Sequence, residues 1–226
     1  MRFAPGPRGK PVGMDRSTQQ RRVDRLLATA GTTFADEGGI RLKDQPMPLF
    51  ELLALGMLAG KPIDAAIATR AARELFRAGL RTPQRVLDAD RRQLIDAFGR
   101  ARYVRYDESS ATRLTDIAST VRDRYRGDLR RLAGAAGHDP AAAKALLKQF
   151  NGIGDTAADI FLREVQDVWI WVRPYFDERA RAAADDLGLP TDARRLGALA
   201  PRRCARLAAA LVRVSLNDDL RAEVVS

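Results

Sequence analysis

The run Leu147-Lys148-Gln149-Phe150-Asn151-Gly152-Ile153-Gly154-Asp155-Thr156-Ala157-Ala158-Asp159-Ile160-Phe161-Leu162 constrains this chain more than any other stretch. Ahead of it, Asp139-Pro140 reads as an N-cap followed by proline in the first helical position, and Ala141 to Phe150 holds good helix formers and apolar residues. Behind it, Asp155 or Thr156 can cap a second helix, in which Ala158, Phe161, Leu162 and Val165 repeat at three- and four-residue spacing. The four residues between, Asn151-Gly152-Ile153-Gly154, leave room only for a tight hairpin. Its two glycines permit positive φ and a close approach of backbone to a second surface, while Ile153 drops between the helices. Unpaired N–H groups at the positive end of the second helix then form a site for an anionic oxygen such as a DNA phosphate. The same residues also make an ordinary helix-turn-helix connection with a glycine C-cap, so the spacing alone leaves both readings open.

Every other segment reads as helix, and none alternates as a strand would. Ser17 to Ala30 is amphipathic through Val23, Leu26 and Leu27. Met47 to Gly60 is apolar nearly all round and is expected to be a buried core helix; it contains Glu51 and is too short to span a bilayer. Helices are expected over Asp64 to Arg77, in a short turn led by Thr82-Pro83, over Asp90 to Phe98 and over Ser109 to Tyr125. They resume at Asp177 to Leu187, Asp192 to Leu199 and Pro201 to Val214. The fold class is all-α.

Of the 226 residues, 46% are apolar and 30% charged, which describes a soluble globular protein with one or two real cores. The net charge of +10 favours a polyanionic partner, nucleic acid over membrane, although residues 1–25 alone contribute +5 of it. Residues 1–15 read as a flexible basic tail. Cys204 is the only cysteine and His138 the only histidine, which excludes an internal disulfide, a four-cysteine zinc or iron–sulfur site and a histidine cluster. No metal and no cofactor are expected.

The hairpin stretch resembles the helix-hairpin-helix of the HhH-GPD superfamily of DNA glycosylases, the group that includes endonuclease III. The match runs through Phe150, Gly152-Ile153-Gly154, Ala158 and Ile160-Phe161-Leu162. The likeness extends by helix pattern over about residues 46 to 215: Pro48-Leu49-Phe50-Glu51-Leu52-Leu53, Lys61-Pro62-Ile63-Asp64, Thr82-Pro83 and Leu199-Ala200-Pro201 each have a place in it. The resemblance implies a two-lobed fold: a six-helix barrel module over 46–165 with the hairpin at about 140–165, and a second lobe from 16–45 and 166–226. A substrate cleft would lie between the lobes.

The superfamily's carboxylate lies at the start of the helix after the hairpin, and Asp177 in Phe176-Asp177-Glu178-Arg179-Ala180 matches it, with Glu178 as the alternative register. Cleaving a base from deoxyribose builds positive charge on the sugar, which a carboxylate stabilises while the base sits flipped in a pocket. Asp177 can equally cap a helix and pair with Arg181 on the surface. Between hairpin and Asp177 lie Trp169, Trp171 and Tyr175, where a base can stack or which form plain inter-lobe core. Relatives that also cut the strand use a lysine where this chain has Thr156, and threonine cannot form the Schiff base. Asp155 departs from the pattern as well, because a carboxylate beside a bound phosphate is unfavourable unless it turns away to cap the helix.

Candidate DNA contacts are therefore Asn151, Gly152, Ile153, Gly154, Thr156, Lys148 and Lys61, the last at the place where relatives insert a polar side chain into the gap left by the flipped base. Lys61 can also be a plain solvated loop lysine. Arg100, Arg102, Tyr103, Arg105 and Tyr106 form a basic aromatic stretch that either follows a phosphate backbone or is a helix edge with two buried tyrosines. The expectation is a monomeric base excision repair protein that acts on double-stranded DNA in the cytoplasm, at the nucleoid if bacterial, as a DNA N-glycosylase without lyase activity. The alternatives are a non-catalytic module for bent or damaged DNA and a helical protein-interaction scaffold.

Overall fold

The computed structural model describes residues 15–225, so the basic tail expected over 1–15 lies outside the described residues apart from Asp15. Among the described residues there are fourteen helices and no strand. In chain order they begin α1 (Arg16–Ala30), α2 (Phe34–Glu37), α3 (Pro46–Ala59), α4 (Ala65–Arg77), α5 (Pro83–Leu87), α6 (Arg91–Arg100) and α7 (Asp107–Tyr125). They continue with α8 (Arg130–Ala135), α9 (Pro140–Leu147), α10 (Asp155–Val165), α11 (Glu178–Asp186), α12 (Ala193–Gly197), α13 (Cys204–Leu216) and α14 (Asp218–Val225).

Most starts follow the capping chemistry read from the sequence. Asp15, Asp64, Thr82, Asp90, Asp139, Asp177 and Asp192 each accept a backbone N–H from the first turn of the helix they precede. Two starts differ. Helix α10 begins at Asp155 with Gly154 as its N-cap and no side chain capping it, so neither Asp155 nor Thr156 does so. Helix α13 begins at Cys204 rather than Pro201, because residues 201–203 form a turn and the capping group comes from elsewhere: Asp167 accepts the Ala205 N–H at 3.3 Å. Helices α2, α8 and α14 were outside the sequence reading; all are of eight residues or fewer and carry little periodicity.

Helix α3 is buried on every side from Pro48 to Leu58, as expected for an apolar segment of that length. Helices α4, α7 and α10 pack on α3, α4 also meets α6, α5 and α6 lie on α7, and α8, α9 and α10 follow in series. A second set of contacts joins α1 to α13 and α14, and α11 to α13. Helix α10 touches both α3 and α13, and for that reason is buried along most of its length.

Gly56 of α3 and Gly60, which caps its C-terminal end, let α10 approach closely. A Cβ on Gly56 would lie 3.1 Å from the Ala157 carbonyl oxygen, and one on Gly60 would lie 2.9 Å from the Ala157 Cβ. Backbone therefore meets backbone at the first turn of α10, and the hairpin is held against the end of the buried helix.

Candidate nucleic-acid interface

Between α9 and α10 the chain turns within Lys148 to Gly154. Ile153 is buried between the helices, and its N–H reaches the Phe150 carbonyl at 3.1 Å. Gly152 has φ +86°, the left-handed region that glycine occupies without strain. A Cβ there would also fall 2.6 Å from Cδ of Arg113 on α7, so this glycine is required by the fold. Gly154 is different: its φ is −93°, and a Cβ would meet nothing within 4 Å. The first N–H groups of α10 have no intrahelical acceptor and no side-chain cap, and the space beside the Gly154 Cα is open.

Side chains around the turn sort by charge. Asp155 is held below the ordinary carboxylate range, first by the hydrogen bond from Lys148 and further by Lys144. Lys148 Nζ reaches both of its oxygens at 2.9 Å, so Asp155 turns toward α9 rather than toward the open N–H groups. Asn151 donates to Asp116 of α7 at 2.6 Å and is committed to holding the turn. Thr156 is exposed on the first turn.

On the other flank stand Lys61, half-buried in the α3–α4 loop, and Arg113. Neither has an acidic partner among the described residues. Burial, and then the charge of Arg113, push the Lys61 ammonium below its usual range. Two cations brought together without a carboxylate leave that side of the hairpin electropositive. Arg113 was not singled out from the sequence, since nothing in α7's pattern distinguishes it from the helix's other arginines.

The basic aromatic stretch divides. Tyr103 is fully buried and donates to the Leu58 carbonyl at 3.2 Å, tying the α6–α7 loop to the end of α3. Arg100 is paired with Glu74 at 3.1 Å. Arg102, in a left-handed conformation at φ 59°, and Arg105, over the Tyr106 ring at 5.3 Å, are exposed.

The connection from α10 to α11 is fastened by Gln166, another residue the sequence did not flag. Its fully buried amide donates to the Tyr175 carbonyl at 2.9 Å and accepts the Tyr175 N–H at 2.8 Å, closing the loop as a strand partner would. Asp177 follows directly. Its Oδ1 accepts the Ala180 N–H at 2.8 Å, and its Oδ2 receives the buried Arg163 guanidinium of α10. The expected capping role is present, but the partner is Arg163 rather than Arg181, and the pair is buried rather than on the surface, with side-chain exposures of 4% and 7%. Glu178, the alternative carboxylate, is exposed at the first position of α11.

Of the aromatic residues, Trp169 is 3% exposed, stacked on Trp171 at 5.2 Å, edge-on to Phe161 and hydrogen-bonded to Asp44 at 3.0 Å. It belongs to the core and is no open stacking platform, because its faces are already covered. Trp171 is half-buried, with the His138 ring edge-on at 5.4 Å. The Tyr175 hydroxyl donates to Asp159 on α10, which Lys144 of α9 also meets at 2.7 Å. Burial, and then the Asp159 acceptor, raise the Tyr175 phenol above its ordinary range and keep it a donor. No group of three or more metal-ligating side chains occurs among the described residues.

No protein-family model matches this sequence, and no curated protein sequence does. Solved structures do match. One is a non-covalent endonuclease III–DNA complex, with a TM-score of 0.52 and 16% identity over 89% of this chain and 86% of that one. Another is a trapped endonuclease III–DNA covalent intermediate, an estranged-adenine complex, with a TM-score of 0.50 and 14% identity at the same coverage. The all-helical fold of this chain is similar to that of endonuclease III.

Proposed function

We propose that this protein binds double-stranded DNA through the hairpin and acts in base excision repair as a DNA N-glycosylase without lyase activity. One observation carries the DNA reading. Gly154 is a glycine that the fold does not need, placed before an uncapped helix N-terminus and close to Lys61 and Arg113, two cations that lack carboxylate partners. A residue without a side chain, where a side chain would fit, suits a surface that must approach another molecule closely. Backbone N–H groups of the first turn of α10 would hold one phosphate, with Lys61, Arg113 and Lys148 beside it. The solved endonuclease III structures of this fold are complexes with DNA, which supports the same partner.

The module over 46–165 and the lobe from 16–45 and 166–226 would enclose a flipped base, with Trp171 and Tyr175 toward it and Asp177, or Glu178 beside it, supplying the carboxylate. Thr156 in place of an amine makes water the nucleophile and a free base plus an abasic sugar the products. The protein would work as a monomer on chromosomal DNA in the cytoplasm; no helix among the described residues is long and apolar enough to cross a membrane.

A second reading has its own observation. Both oxygens of Asp177 are engaged, one by Ala180 and one by Arg163, and a neutralised carboxylate stabilises a cationic sugar less than a free one. This favours a module that recognises bent or damaged DNA without cutting the glycosidic bond. The experiment is base release from duplexes carrying uracil, hypoxanthine, an alkylated purine, an oxidised pyrimidine or a mismatched adenine, with and without alkali, alongside duplex binding as a function of salt. Strand breaks that appear only after alkali support the glycosylase. Breaks without alkali refute the absence of lyase activity, and hairpin-dependent binding with no release supports the binding module.

A further inference from the structure

Asp159 is a half-buried carboxylate of this region that has an oxygen to spare. It lies on α10 one turn beyond Thr156 and four residues after Asp155, with its side chain 19% exposed. Both of its protein contacts fall on the same atom: Oδ1 receives the Tyr175 hydroxyl and meets Lys144 Nζ at 2.7 Å. Among the described residues no hydrogen bond ends on Oδ2, and Oδ2 is not among the enclosed atoms that lack a partner. Asp177 presents the opposite situation, with each oxygen occupied and almost no exposure. Tyr175 stands between the two, bonded to Asp159 and close enough to feel the charge of Asp177.

A carboxylate fixed through one oxygen and open at the other is built to orient a small donor. Two features suit water. Tyr175 keeps its proton and so cannot take one in place of Asp159. Lys144, shared with Asp155 at 3.6 Å, meets Asp159 at Oδ1 and so leaves Oδ2 free.

We infer that Asp159 is the water-holding catalytic residue of this site, with Tyr175 and Lys144 positioning it, and that it works beside the carboxylate at Asp177 or Glu178. This rests on the N-glycosylase reading. In the step itself, the water oxygen bonds to C1′ of the sugar as the bond from C1′ to the base nitrogen breaks. One water proton passes to Oδ2 of Asp159 and from there to solvent. The leaving base takes a proton from solvent, so the products are free base and an abasic sugar with a C1′ hydroxyl.

The test uses the full chain and the lesion duplexes named above, in single-turnover base release, with duplex binding measured on the same samples. Asp159→Asn is expected to lower release about 100-fold or more, the usual range for losing a general base, while binding stays within about twofold. Asp159→Ala is expected to regain part of the rate in formate, a rescue that a purely structural role would not give. Tyr175→Phe is expected to lose about tenfold, since Asp159 keeps its carboxylate but loses one constraint. Release by Asp159→Asn within threefold of the unaltered protein overturns the role of Asp159 and leaves the glycosylase reading standing. Loss in Asp159→Ala without formate rescue overturns it too. No release by the unaltered protein from any of the duplexes overturns both.

Discussion

The buried pair of Arg163 and Asp177 makes the sharpest stability prediction, and it governs how any loss of activity at Asp177 is read. Asp177→Asn keeps an oxygen to cap Ala180 but removes the charge that faces a guanidinium whose side chain is 4% exposed. That guanidinium has little else to replace it, since its Nε is enclosed without an acceptor, the Phe34 ring lies 5.6 Å from Cζ, and Glu164 acts on it through its charge without a hydrogen bond. Breaking a buried ion pair from one side costs about 3–5 kcal/mol, because the surviving charge stays buried. In a domain of this size that is a fall in Tm of roughly 6–20 °C. Arg163→Met is expected to cost a similar amount by stranding the carboxylate. The double variant, Arg163→Met with Asp177→Asn, removes both charges and is expected to return to within about 2 kcal/mol of the unaltered protein.

Urea unfolding of the four proteins gives the cycle directly. Single variants each within about 1 kcal/mol of the parent would refute the reasoning, since the pair would then be no more than a surface contact. The double variant is also the better test of chemistry: a stable protein without the carboxylate separates a catalytic loss from a folding loss, which Asp177→Asn alone does not.

Two further expectations come from charges whose environments differ. Glu164 is fully enclosed, accepts the Ala35 N–H at 2.8 Å, and burial, opposed by Arg163, raises its carboxyl above the usual range. A raised carboxyl stabilises the fold below the unfolded value of 4.5 and loses that contribution as pH rises through the folded value. Glu164→Gln is therefore expected to be at least as stable as the parent at pH 7.5, and to lie below it relative to that difference at pH 4, as followed by urea midpoints; a variant less stable at pH 7.5 than at pH 4 by comparison with the parent would be contrary. Asp155→Asn frees Lys148 beside the hairpin and is expected to tighten duplex binding about threefold at 50 mM salt, with a salt slope steeper by up to about 0.9 for one added phosphate contact. Unchanged affinity and slope in a binding titration would place the phosphate elsewhere.

The sequence made the fold legible where chemistry is local. Asp64, Asp90, Asp139 and Asp192 announce helices because a short acidic side chain beside a helical run has one good use, and the apolar circumference of α3 announces burial. Partners set by tertiary contact were not legible. Arg163, Gln166 and Arg113 look like ordinary polar positions until α10 is wedged between α3 and α13 and the hairpin lies across α7. The start of α13 was missed for the same reason, its cap being Asp167 from 38 residues away. Asp177 was placed as a cap by its neighbours in sequence, but its ionic partner is set by the packing of α10 beside α11, which no spacing rule encodes.

The two hairpin glycines allow fold and function to be separated, because they are glycines for different reasons. Alanine at 152 must sit at φ +86° with its Cβ 2.6 Å from Arg113 Cδ. The conformation costs about 1–2 kcal/mol and the arginine must move, so Gly152→Ala is expected to lose stability and DNA binding together. Alanine at 154 sits at φ −93° with nothing within 4 Å. Two small effects oppose each other there: alanine restricts the unfolded chain, which stabilises, and is a poorer N-cap than glycine, which destabilises. Net stability is expected to stay within about 1 kcal/mol. The added methyl nonetheless stands in front of the N–H groups of α10, where a phosphate oxygen would need to come within hydrogen-bonding distance. Gly154→Ala is therefore expected to unfold like the parent in urea and bind duplex at least about tenfold more weakly by fluorescence anisotropy, about 1.4 kcal/mol. Parent-like binding by Gly154→Ala would mean that nothing approaches the end of α10. The hairpin would then be a structural turn, and the DNA contact would have to be sought among the exposed arginines of the α6–α7 loop.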